Sequence, residues 1–149
     1  MKRLFSLLVI ALGLSTAPAQ IYFDDVEVWM NYSRTRIELE NLQNFSTNTT
    51  GRLRVVLYVT EEEWDETHHR EPVAYFPISR LAPEQLRHRI RKTVRTHRPD
   101  DWGWYWLTLT VQERISDESG KSRWVIRDYL ELDRRFYFAP RPRDIFWPF

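Results

Sequence analysis

Apolar residues recur at every second position over much of this 149-residue chain. The clearest case is the segment 52–60, whose shared apolar face carries Leu53, Val55, Leu57 and Val59. A two-residue period is typical of a strand with one buried face, whereas a helix repeats every 3.6 residues. The chain is therefore expected to bury its core between β-sheets.

The same pattern predicts a series of strands at 26–30, 36–40, 52–60, 73–78, 88–96, 104–114 and 123–133, the last with a possible continuation over 134–138. Pro77 should confine its strand to a sheet edge, since proline cannot donate to a central ladder. Residues 116–122 contain Gly120 and predict a hairpin loop. About seven strands with no intervening helical segment indicate an all-β, immunoglobulin-like antiparallel β-sandwich.

Two segments that connect the predicted strands, 41–51 and 82–87, do not show the strand pattern. Residues 41–51 are rich in Asn, Thr and Ser and end in Gly, so we expect a loop or a broken edge strand. Residues 82–87 could form one helical turn, with Pro83 at a tolerated first position.

Residues 1–19 have the features of a cleaved secretory signal peptide. Lys2 and Arg3 precede an apolar stretch over 4–14, and Ala17-Pro18-Ala19 fits a cleavage site. We therefore expect a secreted or periplasmic protein with a sandwich domain over 20–139 and a proline-rich aromatic tail over 140–149. No segment of the mature chain predicts a transmembrane helix.

The composition excludes several classes of function. The chain has no cysteine, so an exported form must rely on its core rather than on disulfides, and thiol catalysis is excluded. Removal of Lys2 and Arg3 lowers Lys plus Arg from 22 to 20, against 21 Asp plus Glu. A mature net charge near −1 argues against nucleic acid as a partner.

The stretch Asp101-x-Gly103-x-Tyr105-x-Leu107 resembles the tyrosine corner of immunoglobulin-like domains. That resemblance implies a hydrogen bond from the tyrosine hydroxyl to nearby backbone. Leu107 stands where antibody domains have a cysteine, so apolar packing would replace the disulfide between the sheets.

A longer pattern is similar to a sandwich module of secreted bacterial proteins, which occurs alone or appended to exported hydrolases and toxin-like proteins. Its elements are Asn31-x-Ser33, Thr50-Gly51-x-Leu53-Arg54-x-x-Leu57, Pro99 with Gly103-x-Tyr105-x-Leu107-Thr108-Leu109, Gln112-Glu113 and Arg127-Asp128-Tyr129. The resemblance implies an accessory or interaction module without an assigned activity, and it transfers no catalytic residue.

Alternation divides the aromatic residues of the longest predicted strand. Its predicted core face carries Tyr105, Leu107, Leu109 and Val111, while Trp104 and Trp106 face outward with Thr108 and Thr110. Candidate binding residues are therefore Trp104 and Trp106, together with Ile145, Phe146, Trp147 and Phe149 of the tail. The tail either covers the outward tryptophans or serves as a docking peptide.

Three other groups of residues are candidates for metal binding, for hydrolysis or for anion binding. Residues 61–71 hold carboxylates with His68 and His69, but adjacent histidines point apart on an extended chain, so we expect a solvated acidic loop and no metal or cofactor. Asp128 and Glu113 could serve a small hydrolase, although structural roles are preferred, with Asp128 paired to an arginine and Glu113 facing solvent. The basic run over 87–98 fits a protected edge strand, or else an anion-binding surface.

The sequence thus predicts an exported, non-enzymatic binding module whose partner is an unidentified protein or glycan. The alternative is a carbohydrate-binding module that uses exposed tryptophans such as Trp64 or Trp102. A small metal-dependent or carboxylate-dependent hydrolase is the third reading.

Overall fold

The structure, a computed structural model, describes residues 20–65 and 69–140. These residues form seven antiparallel strands: β1 (Ile21–Met30), β2 (Arg34–Asn44), β3 (Arg52–Thr60), β4 (Glu71–Ile78), β5 (Leu86–Arg95), β6 (Gly103–Ser116) and β7 (Ser122–Phe138). The all-β sandwich of about seven strands is confirmed. The described residues contain no helix capable of crossing a bilayer. The predicted leader at 1–19 and residues 141–149 of the tail lie outside the described residues.

The strands divide into a three-stranded sheet, in the order β1-β2-β5, and a four-stranded sheet, in the order β4-β3-β6-β7. The chain passes between the sheets after β2, after β4 and after β5. In constant-type immunoglobulin domains the fourth strand belongs to the first sheet. Here β4 instead pairs with β3, and this pairing widens the second sheet to four strands.

The core lies between the sheets and consists of the alternating residues that the sequence indicates. Leu53, Val55, Leu57 and Val59 are at most 1% exposed, which confirms the apolar face of β3. Tyr105 and its partners on β6, Leu107, Leu109 and Val111, are at most 4% exposed. The Tyr105 hydroxyl donates to the carbonyl of Asp101 at 3.1 Å, which is the hydrogen bond expected of the Asp101-x-Gly103-x-Tyr105 pattern.

Two connections differ from the sequence-based expectation. β2 continues through Asn44, because Leu42 still faces the core. The buried Asn44 amide then donates to the carbonyls of Asn48 and Ala82, at 2.8 and 3.0 Å, and so ends the strand. The predicted helical turn at 82–87 is wrong: the chain makes a turn with Glu84 at a φ of 56°, and Leu86 already belongs to β5.

Alternation along 123–133 predicts that Trp124, Ile126, Leu130 and Leu132 share one face of β7, broken only by Asp128, and this prediction is wrong. Val111 pairs with Asp128 and Gln112 pairs with Ile126, so β7 carries an extra residue at this point. A bulge of this kind reverses the side to which the following side chains point. Trp124 and Ile126 therefore share the outer face with Gln112, whereas Asp128, Leu130 and Leu132 share the inner face with Val111.

Side chains of β7 bind the free edge of β1. The Asp128 carboxylate accepts a hydrogen bond from the backbone N–H of Phe23 at 3.1 Å, and the Arg134 guanidinium donates to the carbonyl of Val28. Asp128 was expected to pair with an arginine, but its carboxylate accepts hydrogen bonds from the backbone N–H groups of Phe23 and Tyr129. These bonds join the two sheets along one side of the sandwich.

The carboxylate that pairs with an arginine is Glu113. It is 4% exposed, which corrects the expectation that it faces solvent. Its two oxygens accept from Arg127 Nε at 2.7 Å and from the backbone N–H of Gly51 at 2.5 Å. The ion pair thereby fixes the entry to β3 against β6, and close approach at Gly51 is part of the arrangement, since a Cβ there would overlap the carbonyl oxygen of Arg114.

Gly51→Ala should lower the free energy of unfolding by about 1–3 kcal/mol, because the added methyl forces the backbone away from Glu113 and Arg114. Urea denaturation of the full chain measures this loss. Thr49→Ala, an exposed change two residues away, is the matched control and should have little effect. Equal stability of the Gly51→Ala variant and the wild type would contradict the close approach.

Asp128→Asn tests the cost of ionising a partly buried carboxyl. Burial raises the pKa of Asp128 above its ordinary 3.8, although hydrogen bonds from Phe23 and Tyr129 partly oppose the shift. A raised folded-state pKa favours folding below the unfolded pKa, and that contribution is lost as the pH rises through the folded value. The wild type should therefore lose stability relative to Asp128→Asn over this pH range.

Denaturation midpoints of the two proteins between pH about 3 and about 7 measure the effect. Glu118→Gln in the exposed hairpin loop is the control for removal of one charge. A stability difference that stays constant with pH would show that ionisation of Asp128 carries no cost in the folded protein.

Candidate functional site

The outward side of the four-stranded sheet is the candidate site, and we name it the aromatic face. The pairing of β6 with β3 and β7 places its members on one side of the sheet. They are Arg54 and Tyr58 of β3, Tyr75 of β4, Trp104 and Trp106 of β6, and Trp124, Tyr129, Arg135 and Tyr137 of β7, together with Trp64 and Arg70 from the connection between β3 and β4.

Trp104 and Trp106 both lie on this face, as the alternation predicts. Trp104 is 60% exposed, and its ring centroid is 5.3 Å from that of Tyr137. Trp106 is half-buried, because the Arg135 guanidinium lies over its ring at 4.3 Å. A side chain of the neighbouring strand thus covers Trp106, while the tail residues proposed as its cover, Ile145, Phe146, Trp147 and Phe149, lie outside the described residues.

The connection between β3 and β4 folds back over the centre of the aromatic face. Trp64 packs between Tyr58 and Tyr129, with ring centroids 5.9 and 5.7 Å away, and the Arg70 guanidinium lies over both Tyr58 and Trp64. Tyr58 and Tyr129 stand on the strands to either side of β6, so the indole between them crosses β6. This cover explains why Thr108 and Thr110, predicted to face outward, are at most 1% exposed.

A hydrogen-bonded network lies beneath one end of this cover. Gln112 accepts from Arg54 Nε at 2.8 Å and donates to the Tyr58 hydroxyl at 2.9 Å and to the Thr110 hydroxyl at 3.1 Å. Arg54 also stacks on Trp124 at 4.2 Å. Burial lowers the pKa of the Arg54 guanidinium, although an arginine in this setting stays protonated.

Three buried polar atoms around Tyr58 have no hydrogen-bond partner among the described residues: Trp64 Nε1, one terminal nitrogen of Arg70 and the Thr108 hydroxyl. A buried donor without an acceptor costs about 1–3 kcal/mol. Trp64 and Arg70 are therefore held over β6 chiefly by ring packing and cation–π contact.

Beside the Tyr105 end of β6 lies a cavity of about 320 Å³, whose lining includes Glu61, Glu62, Glu71 and His69. Burial raises the pKa of Tyr105, and the nearby carboxylates, Glu71 foremost, add to the shift. His69 Nε2 lies 3.7 Å from a Glu71 oxygen. Within 20–65 and 69–140 there is no group of three or more potential metal ligands, and His68 lies outside these ranges.

The basic run forms β5, which lies at the edge of the three-stranded sheet as predicted. Two of its arginines pair with glutamates of β2. Arg91 Nε lies 2.8 Å from Glu38, and Arg89 Nε lies 3.5 Å from Glu40. The positive φ of Arg89, 52°, interrupts the edge further. These pairs favour the protected-edge interpretation of the run over an anion-binding surface.

Sequence reasoning identified Trp104 and Trp106 of the aromatic face but missed Arg54, Tyr58, Arg70, Tyr129 and Arg135. Trp64 was named as an exposed tryptophan for the carbohydrate alternative, but it is half-buried between two tyrosines. A signal was present in β3, where Arg54 and Tyr58 occupy the phase opposite its apolar residues. On β7 the bulge changes which residues point outward, so alternation along its sequence does not place Tyr129 and Arg135 on the aromatic face. The contacts of Trp64 and Arg70 arise from tertiary folding of a polar connection, which local pattern does not indicate.

No protein family profile matches the chain, and no curated protein matches it. Among solved structures, the chain is similar to β-glucosidase 3B from Thermotoga neapolitana in complex with glucose, with a TM-score of 0.40 and 10% sequence identity over 82% of this chain. A β-glucosidase from Kluyveromyces marxianus also gives a TM-score of 0.40, with 10% identity over 80% of this chain. The matches cover 17% and 15% of those glucosidase chains, and similarity at this level assigns neither a family nor an activity.

Trp64→Ala should lower the free energy of unfolding by about 1–3 kcal/mol, because a half-buried indole between two tyrosines is lost. Trp64→Phe keeps an aromatic ring and removes an N–H that has no acceptor, so it should restore most of the stability. Urea denaturation compares the variants. Trp102→Ala, at a side chain that is 61% exposed, is the control, and a loss as large as that of Trp64→Ala would contradict the covering role.

Proposed function

We propose that this chain is an exported, non-enzymatic binding module that docks a protein partner on the aromatic face. The observation that carries the proposal is the row of large exposed rings along one sheet face. Tyr75 and Tyr129 are 51% and 47% exposed, and Trp104 at one end is 60% exposed. Monomeric surfaces rarely keep such a set of aromatic residues contiguous unless it serves an interface.

The composition of the face supports a protein partner. Trp, Tyr and Arg are the residue types that dominate the binding energy of protein interfaces. The aromatic face combines all three, with Arg54 stacked on Trp124 and Arg135 stacked on Trp106. Stacking restrains long side chains before a partner arrives, and restraint of this kind reduces the entropic cost of association.

Export and the relation to immunoglobulin-like accessory modules are part of the same proposal. The hydrogen bond from Tyr105 to Asp101 supports the tyrosine-corner resemblance. The signal-like pattern over 1–19 supports a secreted or periplasmic location. A non-enzymatic role agrees with the use of Glu113 and Asp128 in structural bonds, to Arg127 and to the backbone of Phe23.

One observation favours carbohydrate binding as the second candidate: Trp102 and Trp104, near one another in the chain, are each at least 60% exposed. Elsewhere on the aromatic face, guanidinium groups cover ring faces that a sugar would need for stacking, as at Trp106 and Trp124. A glycan site built on exposed tryptophans would thus be confined to this one end. Glycan-array binding that Trp102→Ala abolishes would support it, and the absence of wild-type binding would exclude it.

The double variant Trp104→Ala/Tyr129→Ala should reduce capture of the exported partner about tenfold or more, because it removes two exposed rings from the proposed interface. Immobilised full-length protein is incubated with the exported protein fraction of its source, and the retained partner is quantified. Trp29→Ala is the matched control, since Trp29 is 52% exposed on the outer side of the other sheet. Loss of capture with Trp29→Ala but not with the double variant would reject the aromatic face.

A further inference from the structure

We infer that one end of the aromatic face recognises a carboxylate-bearing, extended peptide segment of the protein partner, an inference that rests on the proposed function. The site consists of Arg52, Arg54 and Arg114 around Trp124, and we name it the arginine cluster. Its place in the sheet follows from the register: Arg52 pairs with Arg114, Arg114 pairs with Trp124, and Arg54 lies over the Trp124 ring.

The arginine cluster concentrates positive charge without internal compensation. Arg52 and Arg114 are exposed direct cross-strand partners, and like charges in this relation repel. Among the described residues, no carboxylate forms an ion pair with any of the three arginines. By register, Glu131 is the one carboxylate on the described strand positions of this face, and it lies farther along β7, opposite Thr108.

Four arginines elsewhere in the described residues, Arg36, Arg89, Arg91 and Arg127, are neutralised by a nearby glutamate. Glu38 on the outer side of the three-stranded sheet lies 3.2 Å from Arg36 and 2.8 Å from Arg91, and Glu113 neutralises Arg127 inside the protein. The arginine cluster differs from these ion pairs in that no carboxylate of the described residues lies against its three guanidinium groups.

Arg54 is positioned before any ligand arrives. Its Nε donates to Gln112, and its guanidinium plane lies on Trp124, so the two terminal nitrogens are the donors left for a ligand. Gln112 is itself held by the hydroxyls of Tyr58 and Thr110. Two parallel N–H donors fit the geometry of a carboxylate, and the charged pair is stronger than a neutral hydrogen bond.

A peptide fits the surroundings better than an acidic polysaccharide. Arg54 covers one face of the Trp124 ring, and that face is closed to sugar stacking. β7 is an edge strand of its sheet. Its side-chain bonds to β1 begin at Asp128, so the segment 122–126 lies outside the part of the edge that these bonds hold. An extended peptide could add to this free edge through its backbone and direct alternate side chains toward the arginine cluster.

The test uses the full chain and two synthetic peptides, one alternating Glu with Val and one with Gln in place of every Glu. Binding is measured by titration calorimetry at low salt. We expect the Glu peptide to bind about tenfold more tightly than the Gln peptide, and Arg52→Gln/Arg114→Gln to remove about that difference. Because the double variant relieves like-charge repulsion, its stability should be unchanged or raised, so lost binding cannot be ascribed to unfolding.

Arg34→Gln/Arg95→Gln is the matched control, because these residues are also direct cross-strand partners but belong to the other sheet. It should leave binding of the Glu peptide unchanged. Equal binding of the two peptides, or an equal loss with the control variant, would overturn the inference. Tighter binding of polygalacturonate than of the Glu peptide through the same arginines would overturn the assignment to a peptide.

The outcome also separates this inference from the proposed function. Failure of the Glu peptide, with partner capture still dependent on Trp104 and Tyr129, would reject the acidic ligand and leave the binding face in place. Loss of that dependence as well would reject both.

Discussion

Burial of β6 on both faces is the constraint on which the rest of the structure depends. One face carries Tyr105, Leu107, Leu109 and Val111 into the core, and the other places Thr108, Thr110 and Gln112 under cover.

Polar groups out of contact with water require partners, and Gln112 obtains them from Arg54, Tyr58 and Thr110. The cover itself is the connection between β3 and β4, whose Trp64 spans the strand from Tyr58 to Tyr129. The aromatic face therefore follows from the way in which the sheet buries its central strand.

The edges of the two sheets are protected in different ways. β4 carries Pro72 and Pro77, which cannot donate to an added strand. β5 is highly charged and interrupted at Arg89, and β1 is interrupted at Asp25, where φ is 47°, and bound by side chains of β7. The segment 122–126 of β7 has neither a proline nor a positive φ, and it lies beside the arginine cluster. An open edge next to uncompensated charge is an arrangement that favours a bound segment over an isolated surface.

Much of the fold could be predicted because it depends on local alternation. The bounds of β3 and the inward face of β6 follow directly from apolar periodicity, and Pro77 correctly indicates an edge strand. The prediction failed where one residue or one distant contact decides the outcome. The bulge opposite Val111 and Gln112 reversed the phase of β7, and no turn residue signals it. Glu113 was expected to face solvent. Its partners, Gly51 and Arg127, are separated from it in the sequence and meet it only in the folded protein. The candidate site was predicted only in part for the same reason, since Trp64 and Arg70 reach it through tertiary structure.

The two outer faces show why charge alone does not identify the binding surface. The most basic run of the sequence, over 87–98, includes most of β5, and part of its charge is compensated by Glu38 and Glu40 of the neighbouring strand. The arginines of the aromatic face are spread through the sequence and become neighbours only by strand pairing, where rings rather than carboxylates support them. A guanidinium held on a ring keeps in-plane donors and an uncompensated charge, whereas one held in an ion pair has its charge compensated by the carboxylate. The distinction between an arginine that stabilises an edge and an arginine that can bind a ligand is therefore set by what lies beneath it.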